Sequence, residues 1–361
     1  MAKVLIVDDS ATARLALRIA VERDGVHVVI GEASTGKQAI QAVTRLRPDI
    51  VLVDVYLADE TGIDVAADIM ATCATPILVV TSVDPHNPQL AYRSLEAGAL
   101  DIRPKLPAPS HPDYETERKR LVRIIEALSS IPVVTRRRAP RPSAAGAQHE
   151  LVQRAASTAG RLQPPALLLI GGSTGAPVVV RSLLEALPRP FPIPIAIAQH
   201  VAEGFALSLA TWLSQATGHD VRICDTIQRL RPGVVYLAPD ACHLVPLPEG
   251  CIGPQRNTEG LLAVPSIDLL FQRAAVTHGA TAIGVLLTGM GADGSQGMLE
   301  LRVAGAATIA QQPETCVVDS MPRKAIELGA AHRVLPPDAI ADELLRLVSA
   351  EEGPRDASPS V

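Results

Sequence analysis

Residues 166–175 read ALLLIGGSTG, an apolar run followed by a glycine-rich turn that carries one serine. The run Ala166–Ile170 is typical of a strand buried on both faces, and the glycines predict a tight turn into the helical pattern that starts at Ala176. A strand, a turn and a helix in this order predict a parallel α/β sheet. They place Ser173 on the turn, where its hydroxyl is presented for chemistry.

The turn alone leaves three functions open for its serine. Gly171–Gly175 matches the G-x-S-x-G pattern of a nucleophile on a strand–helix turn. A glycine-rich turn before a helix is also typical of a phosphate-binding loop. Ser173 could equally be the N-cap of the helix that follows.

Two further polar residues at strand ends favour the nucleophile. Ala196–Gln199 leads into His200, and the run at 282–287 leads into a glycine loop that presents Asp293. A serine hydroxyl needs a base, which His200 supplies, and Asp293 would orient the imidazole. The order Ser–His–Asp differs from that of α/β-hydrolases, where the acid precedes the histidine.

Structural roles for these residues remain open at this point. A histidine at a strand end is more often structural than catalytic, and Asp293 could simply cap the next helix. We also expect backbone N–H groups of Thr174 and Met290 to be available to an oxyanion. The competing histidines of this half are His219, His243, His278 and His332.

Alternating strand and helix patterns on both sides of residues 129–163 predict two doubly wound parallel-sheet domains. The expected domains are 1–128 and 164–350, with a linker at 129–163 and a disordered tail at 351–361. The first-domain strands are predicted at Lys3–Val7, His27–Ala33, Ile50–Val55, Pro76–Thr81 and Ala99–Lys105. The second-domain strands are predicted at Ala166–Ile170, Ile193–Ala198, Val234–Ala238, Ala282–Leu287 and Ala307–Ala310.

The segment 129–163 has the composition of a flexible linker. It carries six arginines against the single acid Glu150, and Pro, Ala and Ser are frequent. Such a segment cannot bury a core and is expected to be solvated. Binding of nucleic acid or acidic lipid by the arginines is the alternative, which the shortness of the cluster and the lack of aromatic residues disfavour.

An acidic pocket is predicted where the strands of the first domain end. Asp8, Asp9 and Asp54 follow two of these strands, Thr81 ends another, and Lys105 ends the last. Three carboxylates in one crevice need a cation, and Mg²⁺ suits such oxygen ligands. A carboxylate beside Mg²⁺, a lysine and a hydroxyl is suited to accept a phosphoryl group. The alternative is that each acid caps the helix after it.

The bulk composition excludes several classes of protein. The 361 residues are 47% hydrophobic but only 2% aromatic, and the net charge is −5. Such a chain has neither a broad basic surface nor a stacking platform for nucleic acid. Five cysteines without a C-x-x-C pair, no signal segment and no apolar run of about 18 residues predict a reduced, cytoplasmic protein with no membrane insertion.

Residues 3–128 resemble the response-regulator receiver domain, which has a flavodoxin-like fold. The resemblance implies that Asp54 is the phospho-acceptor and that Thr81 and Lys105 contact the phosphate. It implies Mg²⁺ held by Asp8, Asp9, Asp54 and the backbone carbonyl of Tyr56. Two positions depart from the family pattern, since Ala58 and Leu106 stand where receivers usually carry proline.

Nearly all of 164–345 resembles the chemotaxis protein-glutamate methylesterase family, in which a receiver also stands upstream. The resemblance implies a Rossmann-like catalytic domain with Ser173, His200 and Asp293 as its catalytic triad. It implies hydrolysis of glutamate methyl esters and deamidation of glutamines on the cytoplasmic helices of methyl-accepting chemoreceptors, without a cofactor at the esterase site. A chemotaxis histidine kinase would phosphorylate the receiver, which would control access to the active site. The matching segments are 170–177, 199–205, 231–239, 243–244, 265–271, 287–294 and 310–322.

Two other classes of function remain as alternatives. In a non-catalytic signalling module, Gly171–Gly175 would bind a nucleotide or a phosphorylated partner, and a serine-directed acylating reagent would not label Ser173. A DNA-binding response regulator is disfavoured, because residues 164–350 show strand–helix units rather than a short basic helix-turn-helix.

Overall fold

Two parallel sheets organise the computed structural model, which describes residues 1–58, 60–82, 90–131, 165–258, 260–261 and 263–349. The strands of the first sheet are β1 Lys3–Val7, β2 Val28–Ala33, β3 Ile50–Val53, β4 Ile77–Thr81 and β5 Asp101–Pro104. Their order is β2-β1-β3-β4-β5 and every pairing is parallel.

Helices cover both faces of this first sheet. They are α1 Ala11–Glu22, α2 Gly36–Leu46, α3 Gly62–Thr72, α4 Leu90–Glu96 and α5 Tyr114–Ser129. Because side chains alternate along a strand, Leu5 and Val7 of β1 pack in the core that includes α2 and α3, whereas Val4 and Ile6 pack with α1 and α5. Burial on both faces explains the continuous apolar runs of these strands.

The second domain is built on a larger parallel sheet and a small antiparallel one. The parallel strands are β6 Leu167–Gly172, β7 Ile195–Gln199, β8 Asp220–Ile223, β10 Val234–Leu237, β13 Ala282–Leu286, β14 Ala307–Gln311 and β15 Arg333–Leu335. Their order is β15-β14-β13-β6-β7-β10-β8. The antiparallel sheet has the order β11-β12-β9, with β9 at Gln228–Arg229, β11 at Cys242–Leu247 and β12 at Cys251–Arg256.

Helices again lie on both faces of the parallel sheet. They are α6 Ala176–Ala186, α7 Ala206–Thr217, α8 Ile267–Thr277, α9 Ser295–Val303, α10 Ser320–Glu327 and α11 Pro337–Ser349. Buried residues of α6, α7 and α11 share one core, and those of α8, α9 and α10 share another. The predicted fold class, two doubly wound parallel-sheet domains, is confirmed.

The strand order of the second domain fixes where its site lies. The strand β6 stands between β7 and β13, so the chain builds the sheet outward from β6 on the β7 side first and later on the β13 side. Ligands bind at such a switch point, outside the carboxyl ends of the strands. The residues that follow β6, β7 and β13 therefore meet at one edge of the sheet.

The ten predicted strands are all present, with ends that differ by at most two residues from those in the structure. The sequence did not predict β8, β9, β11, β12 or β15. The predicted first domain ends at 128, and α5 ends at Ser129. Residues 132–163 of the predicted linker lie outside the described residues, as does the predicted tail. Within the described ranges, no helix is both long and apolar enough to span a bilayer.

Candidate functional site

Ser173 lies on the turn between β6 and α6, as its motif predicts. Its backbone N–H donates to the carbonyl of Thr288 at 3.0 Å, which ties the turn to the loop after β13. Gly175 closes the turn with φ +79°, and a Cβ there would stand 2.5 Å from Val317. A residue with a side chain would be strained and obstructed at this position, so the glycine is required by the turn itself.

His200, the candidate base, lies next to Ser173, the candidate nucleophile. Its backbone N–H donates to the carbonyl of Gly172 at 3.0 Å, which continues the pairing of β6 with β7. The imidazole Nδ1 lies 3.2 Å from the Ser173 hydroxyl oxygen, and Nε2 lies 2.8 Å from Oδ2 of Asp293. With the carboxylate at Nε2, that nitrogen carries the proton of the neutral ring, and Nδ1 is left as the acceptor facing the hydroxyl.

Asp293 is held by the N-terminus of α8. Its Oδ2 accepts the N–H of Ile267 at 2.8 Å, while Oδ1 accepts the N–H of Asp268 at 2.9 Å and the hydroxyl of Ser266 at 3.1 Å. Burial acts to raise the pKa of Asp293, but the hydrogen bond from His200 and the two backbone donors lower it below its ordinary value. The carboxylate thus stays charged beside the imidazole, at the positive end of a helix.

A second carboxylate, that of Asp268, lies next to Asp293. Its Oδ1 accepts the N–H of Gly297 at 2.6 Å, which joins the first turn of α8 to that of α9. Burial, together with the negative charge of Asp293, raises the pKa of Asp268 to about 6, although hydrogen bonds from the backbone oppose the shift. No role for Asp268 was predicted from the sequence, where the only signal is an acid in the first turn of a helix capped by Ser266.

The buried side chain of Gln199 was also missed. Its Nε2 donates to the carbonyl of Ser173 at 2.9 Å and to the carbonyl of His200 at 3.1 Å. One amide therefore fixes the backbone of the candidate nucleophile relative to the backbone of the candidate base. From the sequence Gln199 was only the last residue of a strand.

The two predicted oxyanion donors are the residue after Ser173 and a residue of the loop after β13, whose Gly289 lies close to Ser173. Among the described residues, the backbone N–H groups of Thr174 and Met290 donate to no other protein group. Unpaired donors beside a nucleophile are what a tetrahedral oxyanion requires.

The first domain reaches Thr174 through two charged residues of β5. The Thr174 hydroxyl donates to Oδ2 of Asp101 at 3.1 Å, and a guanidinium nitrogen of Arg103 lies 3.4 Å from the same hydroxyl. Arg103 and Asp101 form an ion pair at 2.8 Å. All three residues are buried, at 1% exposure for Thr174, 8% for Asp101 and 7% for Arg103. We call this group the Thr174 latch.

An aromatic contact joins the domains at a second place. Tyr92 of α4 stacks on Trp212 of α7 with ring centroids 5.5 Å apart, and it meets the edge of Phe205 at 6.5 Å. Glu96 accepts the indole N–H of Trp212 at 3.0 Å and pairs with Arg181 at 2.9 Å. Burial raises the pKa of Tyr92. A cleft of about 490 Å³ remains between the domains, lined by residues 103–107 on one side and by Gln199 and residues 201–203 on the other.

The acidic pocket of the first domain contains four of its predicted members. The Lys105 ammonium lies 2.7 Å from Oδ2 of Asp8 and 2.6 Å from Oδ2 of Asp54, and the Thr81 hydroxyl donates to Oδ1 of Asp54 at 2.7 Å. Burial acts to lower the pKa of Lys105, but the two carboxylates raise it above its ordinary value. The peptide bond between Lys105 and Leu106 is not among the cis bonds of the described residues. The lysine thus reaches both carboxylates without the proline that receivers usually carry.

The predicted magnesium ligands are only partly assembled. Asp8 and Asp54 are 1% and 5% exposed and share Lys105, whereas Asp9 is exposed. Across the described part of the chain, no three or more His, Cys, Asp or Glu side chains are grouped as a metal site. The donors do fit Mg²⁺ in kind, because that ion takes one or two carboxylates and keeps several waters. The buried Oδ2 of Asp8 has the lysine ammonium as its partner.

Comparison with known proteins gives concordant results for both domains. A family profile described as CheB methylesterase matches residues 168–344, and one described as response regulator receiver domain matches residues 4–110. The protein-glutamate methylesterase/protein-glutamine glutaminase 4 of Geobacter metallireducens is 39% identical to this chain, over 96% of this chain and 99% of its own. The protein of the same description, number 3, from Hahella chejuensis is 39% identical, over 94% of this chain and 96% of its own. Among solved structures, the catalytic domain of Thermotoga maritima CheB methylesterase is 34% identical and covers 52% of this chain and 100% of its own, with a TM-score of 0.49.

Proposed function

Because the chain belongs to the CheB methylesterase family, with a receiver domain ahead of the methylesterase domain, we propose that it demethylates glutamate methyl esters on methyl-accepting chemoreceptors. It also deamidates glutamines there. The observation that carries this proposal is the contact of Ser173 with His200 and of His200 with Asp293. Its site of action is the cytoplasm, on the cytoplasmic helices of the receptors, and nucleic acid is not a partner.

The ester is cleaved in two steps. The Ser173 oxygen attacks the ester carbonyl carbon while Nδ1 of His200 takes the hydroxyl proton, and Asp293 stabilises the imidazolium through Nε2. The C–O bond to the methoxy group then breaks, and His200 returns the proton so that methanol leaves. Water, deprotonated by His200, hydrolyses the acyl-enzyme and releases the glutamate.

The same groups account for the other features of the reaction. The tetrahedral oxyanion accepts hydrogen bonds from the N–H groups of Thr174 and Met290, each of which contributes about 10²–10³ in rate. A glutamine amide passes through an equivalent tetrahedral state, and ammonia leaves in place of methanol. The esterase steps draw on protein groups and water alone.

The receiver domain controls this site by covering it. Ser173 is 5% exposed in the present arrangement, which restricts the access of a receptor helix to its hydroxyl. The Thr174 latch holds the residue directly after the nucleophile against β5 of the receiver. Opening of the domains is therefore needed before the substrate binds.

Phosphorylation of Asp54 by a chemotaxis histidine kinase is the proposed signal for opening. Asp8, Asp9, Asp54 and the carbonyl of Tyr56 would hold Mg²⁺, which when bound supplies positive charge to offset that of the phosphoryl group. Thr81 and Lys105 now contact Asp54 and would turn their donors to the phosphate oxygens. Since Lys105 follows β5 and Thr81 pairs with Pro104, this change acts on the strand that carries the Thr174 latch.

The test is ester hydrolysis by the full-length protein on methyl-labelled receptor membranes. Ser173→Ala is expected to lower turnover at least about 10³-fold, because loss of a triad member removes the nucleophilic pathway. The control Ser182→Ala changes an exposed serine of α6 and leaves turnover unchanged. Turnover that survives in Ser173→Ala, or a serine-directed acylating reagent that fails to label Ser173 after addition of acetyl phosphate and Mg²⁺, would contradict the proposal.

A further inference from the structure

The buried side chain of His243 has a partner in the site but no part in the steps above. It lies on β11, against which α8 packs, and is 1% exposed. Its Nδ1 accepts the backbone N–H of Ser266 at 2.9 Å. Nδ1 therefore carries no proton, and the ring is the tautomer with its proton on Nε2.

The other nitrogen of this ring has no partner. Nε2 of His243 is buried, and none of the described residues forms a hydrogen bond with it. Leaving a buried polar atom without a hydrogen bond is unfavourable, so an apolar residue would serve packing better. What a histidine adds at this position is the acceptor for Ser266.

Ser266 connects this acceptor to the triad. Its hydroxyl donates to Oδ1 of Asp293 at 3.1 Å and accepts the N–H of Leu269 at 3.2 Å, which makes it the N-cap of α8. The next backbone N–H, that of Ile267, donates to Oδ2 of Asp293. The backbone position of Ser266 thus determines where the carboxylate of Asp293 stands.

We propose that His243 is a positioning residue for ester hydrolysis, which fixes the N-terminus of α8 and thereby the carboxylate that orients His200. This inference rests on the proposed function. Hydrogen bonds link His243 to Ser266, Ser266 to Asp293, Asp293 to His200 and His200 to Ser173. A misplacement of about 1 Å in such a constellation lowers rates about 10²-fold.

Three substitutions of His243 in the full-length protein separate positioning from packing. His243→Asn places an amide oxygen near the position of Nδ1, His243→Gln moves it one bond further, and His243→Phe keeps a ring without an acceptor. We expect kcat on a γ-methyl glutamate peptide to fall about 10- to 100-fold in the Phe and Gln variants with little change in KM, and to stay near the parent value in the Asn variant. If the Phe variant does not fold, the comparison of Asn with Gln decides.

Parent-like kcat in both the Gln and Phe variants, or an equal loss in all three, would overturn the role of the acceptor. Ser173→Ala is measured alongside to tell the two failures apart. Turnover that does not depend on Ser173 refutes the proposed function and this inference with it. Ser173-dependent turnover at the parent rate in the variant lacking the acceptor refutes this inference alone.

Discussion

At the scale of single residues, two adjacent carboxylates at the N-terminus of α8 have opposite shifts in pKa. Asp293 is stabilised as an anion by His200 and two backbone N–H groups, which outweigh its burial. Asp268 is half-buried beside that anion, and its pKa is raised to about 6. Charge at Asp293 serves the imidazole, whereas charge at Asp268 opposes folding.

Asp268→Asn is therefore expected to stabilise the protein at pH 8 by about 1 kcal/mol, a value reduced for partial exposure. Between about pH 4 and pH 6 the folded protein binds a proton at Asp268 that the unfolded chain releases, so stability from this group falls as the pH rises through that window. Above about pH 6 the full cost is present, and asparagine removes it. Urea unfolding of parent and variant at pH 8 and pH 4.5 measures the difference, which should be much smaller at pH 4.5.

Asp293→Asn is the matched control for this pair of carboxylates. The pKa of Asp293 is lowered in the folded parent protein, so the charge of this carboxylate adds stability above the pKa of an unfolded aspartate. This stability is lost as the pH falls. The variant should be less stable than the parent at pH 8, and its kcat should fall by about 10⁴. A gain at Asp268→Asn of equal size at both pH values would contradict the raised pKa.

The roles of some site residues could be predicted from the sequence, and those of others could not. Ser173, His200 and Asp293 each follow an apolar strand, and parallel strands end at one edge, so their convergence could be predicted. Gln199 and His243 could not be assigned roles in the same way. Their contacts depend on which way a polar side chain points between elements that are distant in sequence.

At the scale of elements, the close packing of α9 on α8 positions the loop that carries Asp293. Gly297 lies in the first turn of α9, where a Cβ would stand 2.5 Å from the carbonyl oxygen of Asp268 and 2.8 Å from its Cα. Backbone cannot yield as a flexible side chain does, so the two helices would have to separate.

Gly297→Ala is expected to lower the free energy of unfolding by about 1–3 kcal/mol, although alanine is the better helix former. The same change should lower kcat, because separation of the helices moves Asp293. Urea unfolding and ester hydrolysis measure both effects. Gln296→Ala, at the exposed neighbouring position, is the control and should change stability by less than about 0.5 kcal/mol. Parent-like stability in Gly297→Ala would show that the helices do not need this approach.

The strands that the sequence did not predict have a common physical cause. Most strands of the two parallel sheets are predominantly apolar because both of their faces are buried. The strand β8 instead lies at the sheet edge and is partly exposed, and β11 and β12 contain Pro246 and Pro254, which argue against a strand in a sequence pattern. Their pairing is visible only in the folded chain, and with it the position of His243.

At the scale of the whole molecule, the contact between the domains draws on residues that the chain uses sparingly. The chain contains only one tryptophan, four tyrosines and three phenylalanines. Three of these eight aromatic residues, Tyr92, Phe205 and Trp212, meet at the contact between the domains. The docked arrangement could not be predicted from the sequence, because each domain has its own core. The strand patterns do not indicate which surfaces of the two domains contact each other. Only the presence of two domains and the expected control of one by the other could be inferred.

Trp212 provides a direct measure of opening, because it is 3% exposed and stacked on Tyr92 of the receiver. Addition of acetyl phosphate with Mg²⁺ should shift its emission to longer wavelength and increase its quenching by acrylamide, since separation of α4 from α7 exposes the indole. The change should be absent in Asp54→Asn, which cannot accept the phosphoryl group but keeps basal turnover. It should persist in Ser173→Ala, where hydrolysis is lost and the domain contact is intact. A rise in ester hydrolysis with no change in Trp212 quenching would mean that activation leaves this contact closed, and that the receiver acts on Thr174 alone.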